Sequence, residues 1–574
     1  MIQIAYNATT ARAIHVTKPA MLEMHRVLSY CVAGSEHMPG FKSGGWDGRS
    51  SFLNIKGDQA TFPAGFVDMV TRALRRAGME FQLVSKPLPE PLGPARPVVD
   101  EFGYTERYDY QIATVDKLIK HGKMIAMVAT GGGKSRICRM AYKRIDRNTL
   151  FLTTRGILMY QMRDAVVEMG EEVAVLGDGK WGIEYERPDG TVARRLSKFC
   201  VGMVQTLSQR LEVITVEGEL RALAQRRAGA MGKAVQAARL KLQKEGMLPH
   251  LIGLEVNKLV HELTARLPSP KLDQSTIEAK VAKHEHIRVG TVKFLERFEL
   301  VIAEEAHELS GPAFYNVMAA CKNANYRLAL TATPFMKDDE EANMQLLAAC
   351  GPIAMTVSEE LLIDRGILAK PFFKFIKLDE AHKPKGLFRS TPWQKAYSEG
   401  IVNNEHRNKL LCAEVLRGKM YGLNALILVQ YKAHGDVLKN MLTAAGMRCE
   451  FIDGDSTQKV RQSCLNRLAS GDLDVLVGST ILDVGVDVPS IGMIVLAGGG
   501  KAEVSLRQRI GRGLREKKGG RPNVALIVDV YDEFNNHLKG HSAERQAIIK
   551  GTPGFGCNIV NDFNYPALGL TRKI

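Results

Sequence analysis

The sequence predicts an α/β protein with two tandem parallel-sheet domains. Short apolar runs typical of buried strands alternate with helix-like segments, and the second half of the chain repeats this alternation. A glycine-rich turn at residues 128–135 separates a strand from a helix in the first half. The length of 574 residues is sufficient for several domains, each with its own core.

The composition favours a basic protein with a polyanionic partner. The net charge is +16 and the isoelectric point is near 9.3, which suits binding to nucleic acid. Nine scattered cysteines include no CxxC pair and so indicate neither a zinc site nor a disulfide framework. The sequence shows no signal-peptide core and no apolar run long enough to span a bilayer, so we expect a cytoplasmic protein without a membrane partner.

The glycine-rich turn carries the main chemical signal. It follows an apolar run at residues 124–128 and precedes a helix-like segment at residues 136–143, and Val128 stands where this phosphate-loop motif normally begins with Gly. Backbone N–H groups in such a turn, together with the helix dipole, favour a phosphate. The alternative is a tight glycine turn without a ligand. The predicted ATP and Mg²⁺ site comprises Thr130, Gly131, Gly132, Gly133, the phosphate-binding Lys134 and the Mg²⁺ ligand Ser135.

Polar residues before and after the turn extend this site. The Gln111 amide, one helix upstream, can read the adenine edge through its paired donor and acceptor. Two strands, at residues 149–155 and 201–207, end in hydroxyl, amide and guanidinium groups, which bond phosphate oxygens without reading sequence. N-capping of the following helices is the alternative use of these groups. The predicted nucleic-acid contacts are Thr154, Arg155, Gln205, Thr206 and, after a strand of the second half, Thr480.

A third strand, at residues 298–303, runs into two adjacent carboxylates. Glu304 at a strand end beside the phosphate loop can hold Mg²⁺ through water. Glu305 can orient and deprotonate the attacking water. A fourth strand ends in Thr331 and Thr333, whose hydroxyls are suited to coupling nucleotide state to a bound strand.

The second half lacks a phosphate loop but places arginines at helical spacing in residues 508–515. A planar guanidinium that reaches across a cleft stabilises the charge developing on a γ-phosphate. The alternatives are a solvated helix face or a plain phosphate-binding patch.

From about residue 104 to residue 530, the ordered segments resemble the superfamily 2 helicases and translocases. The resemblance implies two RecA-like domains with ATP bound between them. It also implies roles for matching positions: Gln111 for adenine, Lys134 and Ser135 for phosphate and Mg²⁺, Glu305 as catalytic base, His307 with Thr331 and Thr333 for coupling, Gly485 and Asp487 as a second coupling segment, Gln508 at the interface, and Arg512 and Arg515 as arginine fingers.

One position departs from that family. Its members normally have Asp where this chain has Glu304, so the acidic motif reads EEAH. The extra methylene moves the carboxylate, and a water-mediated Mg²⁺ contact tolerates the move better than direct ligation. We expect retained, slower hydrolysis, whereas the alternative is an inactive ATPase.

Residues 361–371 and 400–408, with a segment near Trp46, resemble the UvsW-like phage helicases and the XPB-type helicases. This implies an ATP-dependent motor in a bacterial or phage-infected cell, acting on branched, recombination or repair DNA with low sequence specificity. Its partner would be single-stranded, duplex or branched DNA, or RNA in hybrids; the oligomeric state stays open, and a monomer is compatible. Alternatives are an RNA- or R-loop-directed unwinder, a duplex translocase without strand separation, and a non-enzymatic DNA-binding scaffold.

The same resemblance divides the chain into four segments. Residues 1–86 form a small N-terminal α/β accessory domain for DNA binding, and residues 87–100 form a stiff proline-rich linker. Residues 101–352 and 353–574 form the first and second RecA-like domains, the second with a C-terminal tail. The accessory domain has cations that suit a phosphate-binding face: Lys42, Arg49, Arg72, Arg75 and Arg76.

A long insertion at about residues 211–290 is not explained by the family. Residues 221–245 are rich in Ala, Leu, Gln and basic side chains, and residues 251–267 show a second apolar periodicity before two prolines. We therefore expect a helical hairpin within the first RecA-like domain. Its basic helix either grips duplex DNA or a branch point, or serves as a charged spacer.

Overall fold

The computed structural model describes residues 1–573 except 188, 190, 267–273, 310, 336–338, 480–490, 501–505, 508, 509, 512, 518 and 519, and the side chain of residue 458. Within these residues the chain forms an N-terminal sheet followed by two larger sheets of parallel strands. The predicted α/β class with two tandem parallel-sheet domains is confirmed. We call the two larger units lobe one and lobe two.

The N-terminal unit is a five-stranded sheet in the order β5-β6-β2-β1-β7, with a separate β3-β4 pair. All its strand pairs are antiparallel except β1 with β7. Its elements are β1 Ile2–Tyr6, β2 Thr10–Ile14, α1 Lys18–Leu28, β3 Ser29–Cys31, α2 Pro39–Lys42, β4 Arg49–Ser51, β5 Asn54–Lys56, β6 Gln59–Pro63, α3 Val67–Arg76 and β7 Phe81–Ser85.

Lobe one is built on nine strands in the order β12-β11-β10-β13-β9-β14-β15-β8-β16, parallel except for the β10-β11-β12 edge. The strands from β10 to β8 are buried, as expected for a sheet covered by helices on both faces. Its elements are α4 Asp109–His121, β8 Lys123–Val128, α5 Lys134–Ile145, β9 Thr149–Thr153, α6 Gly156–Val167, β10 Val173–Gly177, β11 Lys180–Glu186, β12 Val192–Arg195, β13 Phe199–Met203, α7 Val204–Leu211, α8 Val216–Lys244, α9 Pro249–Arg266, α10 Gln274–Leu295, β14 Leu300–Glu304, α11 Ala306–Leu309, α12 Pro312–Ala320, β15 Tyr326–Thr331, α13 Glu340–Cys350 and β16 Ile353–Val357.

Lobe two has seven strands in the order β19-β20-β18-β21-β22-β17-β23, all paired in parallel. Two buried ion pairs join its elements, Arg407 with Asp532 and Arg545 with Asp529, each at 2.8 Å. Its elements are α14 Glu359–Asp364, β17 Lys370–Lys377, α15 Trp393–Tyr397, α16 Glu405–Met420, β18 Asn424–Leu428, α17 Lys432–Ala444, β19 Cys449–Ile452, α18 Gln458–Ser470, β20 Val475–Gly478, β21 Ile491–Leu496, β22 Val524–Tyr531, α19 Asn536–Gly551 and β23 Ile559–Val560.

The insertion in lobe one differs from the predicted hairpin because it contains three long helices. Helices α8 and α9 correspond to the two predicted helices, and α10 packs against α8 and α7 as a third. The sequence of α10 alternates charged and apolar residues without a clear apolar stripe, so periodicity did not reveal it. We call α8, α9 and α10 the arm.

The proline-rich segment makes direct contacts with lobe one. The Leu92 and Gly93 N–H groups donate to the Ile145 and Arg144 carbonyls at 3.1 Å each, and Tyr326 Oη donates to the Pro89 carbonyl at 2.5 Å. The segment therefore lies along lobe one. The domain boundaries themselves remain predictions.

Candidate ATP site

The phosphate loop lies between the end of β8 and the start of α5, as the sequence predicts. Gly131 and Gly133 have φ values of 90° and 78°, which residues with a side chain rarely adopt. A methyl group on Gly132 would lie 2.6 Å from Val128 Cγ1, so the loop folds tightly back on its strand. Lys134 is the first residue of α5, and Ser135 follows it with an exposed side chain.

Lys134 forms an ion pair with Glu305, with Nζ 2.8 Å from Oε1. Burial alone would lower the pKa of Lys134, but the Glu305 and Glu304 carboxylates raise it above the ordinary value. Glu304 is the last residue of β14 and is 8% exposed. Burial, followed by the neighbouring Glu305 charge, raises the pKa of Glu304 to about 7. Two carboxylates thus share one lysine in a site that favours additional positive charge.

The turn after β14 aims Glu305 back toward the loop. Glu305 has a φ of 51°, a left-handed conformation that costs a residue with a side chain about 1 to 3 kcal/mol. Its Oε2 is buried and accepts no hydrogen bond from any described residue, although His307 Nδ1 lies 3.5 Å away. Such an unsatisfied carboxylate oxygen is consistent with a ligand or water that completes the site.

His307 connects the acidic turn to the end of β15. Its Nδ1 shares a hydrogen bond of 2.9 Å with Thr331 Oγ1, and the Thr333 N–H donates to the same hydroxyl at 3.2 Å. All three residues are buried, and burial lowers the pKa of His307. The structure therefore brings together the three residues that the family resemblance assigns to coupling.

The next residue, Glu308, joins this group to two of the predicted nucleic-acid contacts. Thr154 Oγ1 donates to Glu308 Oε2 at 2.9 Å, and Arg155 Nε donates to the same oxygen at 2.7 Å. Burial alone would raise the pKa of Glu308, but the hydrogen bond from Arg155 helps to hold it below the ordinary value. Sequence reasoning missed Glu308, although its position directly after the EEAH motif was a usable signal.

Gln111 lies on the phosphate loop and is 2% exposed. Its Nε2 donates to the Gly132 carbonyl at 3.3 Å, and its Oε1 accepts from Arg136 Nη1 at 2.6 Å. Tyr110 Oη donates to the same Gly132 carbonyl at 2.9 Å. The structure thus holds the predicted adenine-reading amide against the loop. The roles of Tyr110 and Arg136 were missed, since neither side chain belongs to a motif.

Lobe two reaches the same loop. A methyl group on Gly131 would lie 2.7 Å from Leu368 Cδ2 and 3.6 Å from Arg515 Nη1. Leu368 and Arg515 also form an isolated antiparallel bridge. The remaining predicted site residues of lobe two lie outside the described residues: Thr480, Gly485, Asp487, Gln508 and Arg512.

The two remaining predicted nucleic-acid contacts of lobe one lie in α7. Gln205 is exposed and Thr206 is half-buried in the first turn of α7, and neither makes a side-chain contact with Glu308 among the described hydrogen bonds. Across the described part of the chain, no cluster of three or more His, Cys, Asp or Glu side chains is arranged to hold a metal ion. Over the same residues, no helix has the length and apolar character needed to cross a membrane.

Comparison with known protein families gives two matches. The helicase conserved C-terminal domain matches residues 406–517, and the family described as type III restriction enzyme, res subunit, matches residues 105–245. The first match lies in lobe two, and the second includes the phosphate loop. Over these two segments the chain is therefore similar to a helicase domain and to a restriction-enzyme subunit.

Individual relatives agree with this assignment. Putative helicase 22 of Sulfolobus islandicus filamentous virus is 24% identical over 44% of this chain and 45% of its own length. The ATP-dependent DNA helicase uvsW of Enterobacteria phage T4 is 22% identical over 45% and 50%, and the DNA 3′-5′ translocase XPB2 of Sulfurisphaera tokodaii is 29% identical over 41% and 58%. The chain thus spans about half the length of the curated relatives it matches.

Proposed function

We propose that this chain is an ATP-dependent DNA helicase or translocase that acts on branched, recombination or repair DNA with low sequence specificity. One observation carries the proposal. The phosphate loop of lobe one, with Lys134 paired to Glu305, lies within reach of Arg515 from lobe two. A nucleotide bound there contacts both lobes, so its hydrolysis changes how they fit together.

The residues at the loop fit ATP with Mg²⁺. Glu305 Oε2 accepts no hydrogen bond from the described residues, and burial raises the pKa of the neighbouring Glu304 to about 7, so a bound cation would stabilise the ionised form of these carboxylates. Ser135 and Glu304 would hold Mg²⁺, which would neutralise phosphate charge when bound. Oxygen donors from a hydroxyl and a carboxylate are the ligands that Mg²⁺ prefers.

In this proposal each side chain has a distinct task. Lys134 leaves Glu305 to bind the β- and γ-phosphates, which frees the carboxylate to take a proton from the attacking water. Arg515, together with Arg512, stabilises charge on the γ-phosphate. Gln111 turns from the loop to the adenine edge.

Coupling to nucleic acid follows the contacts of the acidic turn. A phosphate that binds Arg155 and Thr154 competes with Glu308 for the same donors. Glu308 adjoins His307, which in turn contacts Thr331 and lies 3.5 Å from Glu305. Strand binding therefore changes the surroundings of the catalytic carboxylate through directly contacting side chains.

ATP hydrolysis by the purified protein tests the function. We expect turnover that rises with single-stranded DNA and rises most with a four-way junction. Lys134→Ala should abolish turnover and leave most DNA binding intact. Lys198→Ala is the matched control, since Lys198 pairs with Asp146 at 2.6 Å in the same lobe, away from the loop.

The same assay separates the alternatives. Stimulation mainly by RNA would replace the DNA motor with an RNA- or R-loop-directed unwinder. Junction-stimulated turnover without strand separation would indicate a duplex translocase. If no nucleic acid stimulates turnover, the replacement of Asp by Glu304 has inactivated the ATPase and the chain is a DNA-binding scaffold. If Lys134→Ala is fully active, the assignment of the ATP site to the phosphate loop is refuted.

A further inference from the structure

The arm carries an unusual distribution of charge. Residues 220–244 of α8 contain seven basic side chains and no acidic one. The only acidic residues of α8 are Glu217 and Glu219, in its first turn. Helices that merely face water are usually stabilised by acidic and basic residues four positions apart, and most of α8 lacks such pairs.

The geometry of α8 aligns three of these cations. Arg226, Lys233 and Lys244 are seven and eleven residues apart, which places them within about 20° of one another around the helix. They recur after about 10 Å and then about 16 Å along the axis. All three are exposed, and the small Ala230 and Ala237 between them are exposed too. We call these three cations the basic row.

The basic row lies outside the face that holds the arm together. Half-buried residues of α8 recur every three or four positions and include Leu223, Met231, Ala234, Ala238 and Leu242. This face packs on α9 and α10. The row therefore contributes little to folding of the arm and leaves the cations available to a partner.

Ion pairing leaves most of the row's charge uncompensated. Among the described residues, Lys233 and Lys244 make no ion pair, and Arg226 has only a distant one, 3.9 Å from Glu219, which Lys280 also contacts at 2.6 Å. Some other exposed cations of the arm have their own carboxylates, as Lys258 has Glu255 at 2.7 Å. What distinguishes the basic row is that its three cations are aligned on one side of a single helix.

We propose that the basic row binds the phosphate backbone of duplex DNA, so that the arm holds the duplex while the two lobes act on it. Double-stranded DNA presents about one negative charge per 1.7 Å of axis, so a straight row of cations meets phosphates without a fixed register. Exposed alanines between the cations let the helix approach the backbone closely. The proposal rests on the proposed DNA motor for its biological meaning, but the binding itself requires no ATP.

The test compares two triple variants of the full chain. Arg226→Gln, Lys233→Gln and Lys244→Gln together remove the basic row. Arg221→Gln, Lys258→Gln and Arg288→Gln remove the same charge from arm cations that have acidic partners, at 2.9, 2.7 and 2.6 Å. Glutamine keeps helix propensity close to that of Lys and Arg, and far-ultraviolet circular dichroism checks that both variants retain helix.

Duplex binding is measured by fluorescence anisotropy with a blunt 40-base-pair probe from 50 to 300 mM salt. Loss of the row should weaken binding about tenfold or more at 50 mM and reduce the slope of log K against log salt by about 2.7, since each phosphate contact contributes about 0.9. The paired control should change the slope by less than about 1. Equal slopes for the two variants would overturn the proposal.

Hydrolysis of ATP with short single-stranded DNA, measured on the same preparations, separates this inference from the proposed function. We expect the row variant to retain that activity, because the row lies outside the ATP site. If the wild-type protein binds duplex DNA through the basic row but does not hydrolyse ATP, the proposed motor function is refuted and the proposed duplex binding is supported. If the row variant hydrolyses ATP normally and its salt slope equals that of the wild type, the proposed duplex binding is refuted and the proposed motor function is unaffected.

Discussion

Lobe one contacts its two neighbours by different means. Toward the N-terminal unit, Met344 and Ala348 of α13 join the hydrophobic core of that unit, and Phe52 packs edge-on against Tyr315 at 5.8 Å between ring centres. Toward lobe two, Arg107 Nη2 lies 3.0 Å from Glu516 Oε1, and Arg365 pairs with Asp109. The first junction also has one exposed ion pair, Arg49 with Glu340 at 3.8 Å, and the second also has apolar contacts, since one hydrophobic cluster continues from lobe one to Leu362 and Leu368. Among the described residues, ion pairs lie beside the phosphate loop only at the second junction.

This difference has a mechanical consequence. Separating an apolar junction exposes buried surface to water, at about 25 cal/mol per Å². Exposed ion pairs contribute about 0 to 1 kcal/mol each and exchange with water easily. The N-terminal unit should therefore move with lobe one as a single body, while lobe two changes its position during ATP turnover.

The largest effect is expected at the junction between the lobes. Arg515→Ala should lower kcat for ATP hydrolysis about 1,000-fold, because an arginine at the γ-phosphate contributes 10³ to 10⁵ in kcat. The free energy of unfolding of this variant should differ from that of the wild type by less than about 1 kcal/mol, because Arg515 is expected to act in turnover rather than in folding. Steady-state hydrolysis and urea unfolding measure the two quantities, with the exposed Arg572→Ala as control. Unchanged kcat would exclude Arg515 from the ATP site.

The apolar junction should respond in the opposite way to Gly65→Ala. A methyl group on Gly65 would meet the Ala348 carbonyl carbon at 2.8 Å, and backbone cannot move aside as a side chain can. We expect a loss of about 1 to 3 kcal/mol in unfolding free energy and faster proteolysis between the N-terminal unit and lobe one, with basal hydrolysis retained.

Gly540→Ala is the matched control for that variant. Gly540 lies inside α19, and no atom approaches within 4 Å of the added methyl group. Alanine there should be neutral or stabilising by up to about 1 kcal/mol. Equal stability of the two variants would show that the N-terminal unit is only loosely attached.

The sequence was informative where structure is local. A strand end, a glycine turn and a helix start occupy consecutive residues, so the position of Lys134 at the head of α5 follows from the pattern alone. The same holds for Glu304 at the end of β14. Helix composition likewise identified α8 and α9.

Contacts between distant segments could not be predicted in this way. The outward face of α13 has the same apolar pattern whether it covers lobe one or the N-terminal unit, so Met344 gave no sign of its true neighbours. The hydrogen bond from Arg136 to Gln111 joins residues 25 positions apart, and no spacing rule reports it. The approach of Arg515 to Gly131 depends on how two whole lobes meet.

The free energy of unfolding should depend on pH through Lys123, which lies at the apolar junction. Lys123 Nζ donates to the Asn7 carbonyl at 2.9 Å and lies 5.6 Å from the centre of the Tyr6 ring. Burial, with the nearby Arg327 charge, lowers the pKa of Lys123 to about 7. Between pH 7 and 10 the unfolded chain therefore binds a proton that the folded protein does not, so raising the pH stabilises the fold.

Lys123→Met removes this dependence. The stability of the wild type relative to Lys123→Met should rise by about 2 kcal/mol between pH 7 and pH 9. Urea unfolding at both pH values measures the difference, and the exposed Lys120→Met corrects for general charge effects. A difference that is constant with pH would mean that the junction admits water around Lys123.

The smallest effect is expected for the ion pair between Arg107 and Glu516. A double-mutant cycle with Arg107→Gln and Glu516→Gln should give a coupling energy below about 1 kcal/mol, because both side chains are partly exposed, at 35% and 41%. Urea unfolding at low and high salt measures this coupling, which should fall as salt screens the pair. A salt-independent coupling of several kcal/mol would mean that the two lobes are locked together, and the difference between the two junctions would no longer hold.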